Sequence, residues 1–202
     1  AKGFNIEGLK DGIEKVYHLY EVFQVVNEEK IPCWPGPMTV EEYWNGTCNP
    51  ENLHISSSWC YGNAGVMRGL QKVAGYMGWK EKEQAHVETM IRFFSQNIKT
   101  YDLYSPSLCH GFSSLVAIQM CAYSSYRNPK LLTNLERHIQ KMIAGYRKNN
   151  ENELNLTDIR NKSILIEGHL NDLSILTGSV GIAITLLSLK RTTKTGKLLM
   201  ID

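Results

Sequence analysis

The sequence predicts an all-α chain built from repeated helical hairpins. Three observations carry that prediction. Apolar residues recur at helical spacing along most of the chain, while strand alternation does not recur. Helices of two kinds alternate, one kind with a charged face and one without. Each helix of the second kind is entered through a glycine turn, so that outer helix, loop, glycine turn and inner helix form an internal repeat. Such a repeat implies a solenoid or a closed ring.

Taken in order, the first amphipathic stripe is Ile6, Leu9, Ile13, Val16, Tyr17 and Tyr20. The second is Val87, Met90, Ile91, Phe94 and Ile98, behind the charged run Lys80-Glu81-Lys82-Glu83. The third follows Pro129 with Leu132, Leu135, Ile139, Met142, Ile143 and Tyr146. A wet face opposite each stripe places these three helices on the outside. Ala64 to Tyr76, Ser114 to Tyr126 and Val180 to Leu189 are apolar or small nearly all round and belong inside. Their entry turns are Gly62-Asn63-Ala64-Gly65, Gly111-Phe112-Ser113-Ser114 and Gly178-Ser179-Val180-Gly181. Glycine there is expected to allow φ > 0 and close approach of the chain. Ser113 or Ser114 is the expected cap of the second inner helix. Glu28 to Ser58, with four prolines, and the polar stretch Asn149 to Ser174 read as long irregular segments, a length often tied to function.

The chain has 202 residues, 43% of them hydrophobic, which suits one domain with a sizeable core. A formal charge of +2 argues against a main role in coating nucleic acid or anionic membrane. No apolar run is long enough for a membrane span, and Ala1-Lys2-Gly3-Phe4 does not open a signal peptide. That start, without Met, is the one expected of a processed or excised piece. Five cysteines at irregular spacing do not form a secreted disulfide framework, so a reducing compartment, the cytoplasm, is expected. Cys121, in an apolar helical run, reads as a small buried hydrophobe. His18, His86 and His138 fall on outer helices as solvated or packed side chains. The basic tail with Lys190, Arg191, Lys194 and Lys197 reads as a solvated terminus.

Chemistry concentrates in two short motifs, Trp59-Cys60-Tyr61-Gly62 and Cys109-His110-Gly111. Cys60, Cys109 and His110 are the parts of a three-ligand zinc site, and three protein ligands leave a coordination position open for chemistry. Both motifs lie just ahead of an inner helix, and in a ring of hairpins such points converge on one end of the cavity. Other readings remain. The cysteines fit buried thiols beside a satisfied histidine, or a closed structural site completed by Cys33, Cys48 or His54. His169, ahead of the last glycine turn, carries no further mark of a ligand.

These motifs, with the closing Leu173-Ser174-Ile175-Leu176-Thr177-Gly178-Ser179-Val180-Gly181-Ile182-Ala183, resemble in order the C-terminal half of the lanthionine synthetase C-like family of lanthipeptide cyclases. The resemblance extends over most of the chain, so residues 1–202 read as the C-terminal part of such a domain. It implies an α/α toroid, here part of the ring, with one Zn²⁺ held by Cys60, Cys109 and His110. It implies addition of a peptide cysteine to dehydroalanine or dehydrobutyrine, closing a thioether ring. A free thiol, with a pKa of about 8.5, is mostly protonated at neutral pH, and zinc binding removes that proton. The enolate so formed needs a general acid. The family's histidine and aspartate for that work lie upstream of this chain's start. Ser56 to Ser58 stand where the family often has a basic residue, leaving Tyr61 and His54 as the candidates here. The implied partner is a precursor peptide, in company with the rest of the ring, a second chain, or a dehydratase and transporter. Two other classes stay open at this point: a zinc protein binding glutathione or protein thiols, and a non-catalytic interaction module with a structural zinc. A toroidal glycosidase would need a facing carboxylate pair, and Asp172 stands alone.

Overall fold

The computed structural model describes residues 6–49, 56–144, 146–148, 154–161, 164–167, 173–190, 195–199 and 201. The first amphipathic stripe forms α1 (Leu9–Val22). A two-stranded antiparallel hairpin follows, β1 (Val25–Val26) with β2 (Pro32–Cys33), and then a short helix α2 (Val40–Asn45). Thr39 starts α2 through a capping box. Its Oγ1 accepts from the Glu42 N–H at 3.1 Å, and Glu42 accepts from the Thr39 N–H at 2.7 Å. The segment expected to be irregular therefore holds a strand and a helix. The Thr-x-x-Glu pattern was the signal for the helix.

The repeat itself is as expected. Helix α3 (Asn63–Met77) turns at Gly78, φ +74°, and returns as α4 (Lys80–Phe94) packed along it. Helix α5 (Phe112–Tyr126) pairs in the same way with α6 (Leu135–Ala144). Inner helices α3, α5 and then α7 (Ser179–Ser188) lie side by side, and a short α8 (Thr195–Leu198) packs on α5 and α7. Met67, Phe94, Leu115, Ile118 and Ile182 are fully enclosed between these layers. Each is worth about 1.5–3 kcal/mol of burial. Asn134, held at φ +61° before α6, donates to the Phe94 and Gln96 carbonyls at 3.0 and 3.1 Å, so that the second hairpin satisfies the end of α4.

Two expectations need correction. The stretch after α6 carries a three-stranded antiparallel sheet, β3 (Tyr146–Lys148), β4 (Leu154–Asn161) and β5 (Ile164–Glu167), in that order. Its alternation, as in Leu154-Asn155-Leu156-Thr157, is masked by the polar composition around it. Helix α1 lies on the outside but leaves much of its apolar stripe open, with Leu9, Val16 and Tyr20 exposed. It is fastened at Tyr17, whose hydroxyl lies 2.7 Å from His86 Nε2, and by Lys82, which meets Glu21 at 2.6 Å. The open part of the stripe faces α3 across a groove of ≈ 620 Å³, lined by Ile13, Val16, Gly65, Val66 and Gly69 and also by Trp59 and Cys60. Helix α3 packs against both α4 and α5, and the repeat makes this groove, between α1 and α3, the counterpart of that seat.

Candidate metal centre

Each inner helix begins at a glycine with extended backbone: Gly62 at φ −123°, Gly111 at φ −127° and Gly178 at φ −100°. Positive φ is therefore not why glycine stands there. Close approach is: a Cβ on Gly62 would stand 2.1 Å from Ser58 N, and one on Gly111 would stand 2.2 Å from Ser105 O. Three residues into the helix the same holds for Gly65 and Gly181, which would meet Trp59 O at 1.9 Å and Ile175 O at 1.8 Å. The turns thus fold back onto their own helix starts, and the bonds repeat. The Asn63 N–H donates to Ser56 O and the Phe112 N–H to Ser105 O, both at 2.9 Å. Neither Ser113 nor Ser114 caps α5. Their hydroxyls donate instead to Pro106 O at 2.5 Å and Gly111 O at 2.7 Å.

Neighbouring turns are tied by backbone. The Cys60 N–H donates to Cys109 O at 3.3 Å, and the Cys109 N–H donates to Leu176 O at 2.8 Å. This ladder sets Cys60 beside Cys109, and the ligating atoms of Cys60, Cys109 and His110 all lie within 4.8 Å of one another. Zinc with Zn–S near 2.3 Å and Zn–N near 2.0–2.1 Å places tetrahedral donors about 3.5–3.8 Å apart, so small side-chain shifts accommodate the ion. The donor set, two thiols and an imidazole, is one zinc prefers. All three residues are half-buried. The Cys60 thiol is lowered to about 5, first by its hydrogen bond with Cys109 and then by His110 and Ser58, which together outweigh burial. Cys60 is then a thiolate at neutral pH, the form that binds metal.

Of the alternative ligands, Cys33 and Cys48 are not brought in. Among the described residues no fourth His, Cys, Asp or Glu joins the group. Cys33 is buried in β2, and burial raises its thiol pKa and that of Cys48, the reverse of what a ligand needs. His54, His169 and Asp172 lie outside the described residues. Tyr61 follows Cys60 directly and is 83% exposed. Cys121 is half-buried against the core, His18 is exposed, and His138 is fully enclosed.

Sequence reasoning missed what stands behind the ligands. Asn63 accepts from the Trp34 N–H at 3.0 Å, anchoring the loop after β2 to the first ligand turn. Arg68 is 1% exposed within an apolar helix and bonds Gln71 and Ser125, and Gln71, Tyr126 and Glu83 continue the network. Arg68 and Gln71, three residues apart in a mostly apolar inner helix, were the available signal.

A ring-forming array of helical hairpins with a Cys-Cys-His cluster at its inner turns defines the class of protein. The model of the family described as "Lanthionine synthetase C-like protein" matches residues 1–200, and the chain belongs to that family. Among solved structures, one titled "Nisin cyclase" superposes with a TM-score of 0.74 at 17% sequence identity, covering 100% of this chain and 46% of that one. The likeness is one of fold, the α/α toroid, and this chain spans less than half the length of that neighbour. No curated protein matches the sequence. No helix among the described residues is long and apolar enough to cross a membrane.

Proposed function

We propose that this chain carries the zinc centre of a lanthionine-forming cyclase, with Cys60, Cys109 and His110 as ligands and a peptide cysteine as the incoming thiol. The observation that carries the reading is the convergence of these three side chains from two adjacent turns, half-buried and without a fourth described ligand. Zinc bound there supplies a Lewis acid that favours the thiolate form of a substrate cysteine. As ligands, the thiolates of Cys60 and Cys109 would balance the ion's charge, so that a substrate thiolate added to them would keep its sulfur nucleophilic. Neutral His110 would add no further negative charge. Tyr61, exposed next to Cys60, is the candidate we assign to hydrogen-bond the enolate that forms when sulfur adds to dehydroalanine or dehydrobutyrine. His54 is the second candidate for that role.

The groove between α1 and α3 suits an inner-type helix, from the remainder of a ring or from a partner chain, because the equivalent seat is filled by α3. Activity on a precursor peptide then belongs to the completed ring. Purified protein is expected to carry about one zinc per chain by elemental analysis. Cys60→Ala and Cys109→Ala should each lose it with helical circular dichroism intact; stoichiometric zinc in both variants would refute the site.

A further inference from the structure

The end of the described chain returns to the turn that bears Cys60. Leu199 and Ile201 are 2% and 3% exposed and belong to the main core. The Ile201 N–H donates to Gly196 O at 2.8 Å, closing a turn after α8. The indole N–H of Trp59 donates to Leu199 O at 3.0 Å, across 140 residues. Arg68 Nε donates to Ile201 O at 2.7 Å, across 133. Two backbone carbonyls of one short segment are thus gripped by two side chains that flank the start of α3.

Trp59 immediately precedes Cys60. Its own carbonyl rests against the Cα of Gly65, so the residue is held at both ends, its backbone by α3 and its ring by the tail. The second ligand turn has a short tie, from Cys109 to Leu176 at 2.8 Å. The first turn's tie to its neighbour, from Cys60 to Cys109, is longer at 3.3 Å. The indole bond to Leu199 O adds a second, long-range tie beside it.

We propose that the segment bearing Leu199 and Ile201 is a strap that positions Cys60 for metal binding, acting through the Trp59 indole and the Arg68 guanidinium. The proposal rests on the reading of Cys60, Cys109 and His110 as a zinc site. Groups that orient metal ligands from behind typically contribute about 10–100-fold to affinity, and the strap acts one residue removed from its ligand. Trp59 and the strap are positioning elements and touch no substrate.

The test is zinc and cobalt affinity by chelator competition, with the cobalt–thiolate absorption band as a spectroscopic readout. Trp59→Phe, which removes the indole N–H, should weaken binding about tenfold. L199S/I201S, which takes the tail out of the core, should do about the same, and the combined variant should be no more than about twofold worse than the weaker of the two, because both cut one path. Leu131→Ala, a cavity in the buried turn between α5 and α6, should lower Tm while holding affinity within about twofold. The strap is refuted if Trp59→Phe binds within about twofold of the parent, or if Leu131→Ala weakens binding as much. Trp59→Phe alone decides the matter should L199S/I201S not fold. A parent chain that binds neither metal refutes the site itself, whereas a parent that binds and strap variants that bind equally well refute only the strap.

Discussion

Gly65 sits five residues after Cys60, inside α3, where glycine costs helix stability that alanine would restore. Its replacement by alanine is nonetheless expected to damage the metal centre. The added Cβ would stand 1.9 Å from the carbonyl oxygen of Trp59 and 2.8 Å from its carbonyl carbon. Both obstacles are backbone, so no rotamer change relieves them. The carbonyl must retreat by about 1 Å to reach a tolerable contact, and Cys60 is bonded to that carbonyl carbon. Zinc ligand distances are held to about ±0.2 Å, so a displacement several times larger forces the sulfur out of position or the helix out of register. Zinc affinity is expected to fall by about 10–100-fold or more, and stability by about 1–3 kcal/mol from overpacking. Gly69, one turn further along α3, is the control. Nothing lies within 4 Å of its would-be Cβ, so Gly69→Ala should keep the metal and gain about 0.5–1 kcal/mol. Chelator competition and thermal melting read both variants. Gly65→Ala with parental zinc affinity and Tm, or equal loss of zinc in Gly69→Ala, would refute the reasoning.

Two further outcomes follow from the packing. His138 is buried, and Gln119 donates its amide hydrogens to the Leu131 and Thr133 carbonyls, so its oxygen accepts the His138 Nδ1–H at 2.7 Å and Nε2 carries no proton. Burial, aided by Arg137, lowers this histidine from 6.5 to about 4. The unfolded chain then takes up a proton that the folded chain refuses, so stability falls as pH drops from about 6.5 to 4, by roughly 3 kcal/mol in all. Urea unfolding across that range should show this slope in the parent and a flatter one in His138→Phe; equal slopes would sink the assignment. In the groove, Gly69→Leu should leave zinc content unchanged yet block association with a separately expressed N-terminal half of a family ring, measured by co-purification; unimpeded association would place that half elsewhere.

Much of this was legible in the sequence because the repeat writes its period twice, in helix type and in glycine placement. The outer stripes and the apolar inner helices fell where their spacing put them except at their ends, since Ile98 lies in a 3₁₀ turn beyond α4 and Tyr146 in β3, and α5, buried along most of its length, is the clearest case. The clustering of Cys60, Cys109 and His110 was legible because Cys60 and Cys109 occupy the same step of the repeat. What was hidden depends on contacts distant in sequence. The tail's grip on Trp59 leaves no trace in either segment, since it uses backbone carbonyls that any residue supplies. The glycines were read for a conformation they do not adopt, because a near-zero gap between Cα and a carbonyl looks the same in sequence as a need for positive φ. The sheet at β3 to β5 was hidden by its composition, asparagine and charge between the apolar positions.

The three inner turns share one backbone and differ in what they carry. The third places Leu176 and Thr177 at the step where the second has Cys109 and His110 and the first has Cys60 and Tyr61. Its carbonyl still accepts from Cys109 at 2.8 Å, so the ladder between turns does not depend on which side chains they bear. Scaffold and chemistry are therefore separable at this rim. Glycine contacts and backbone bonds align the turns, and the two adjacent turns that bear thiols bring the cluster of Cys60, Cys109 and His110 to one place on the rim. A third thiol at the Leu176 step would lie on the far side of Cys109 from Cys60.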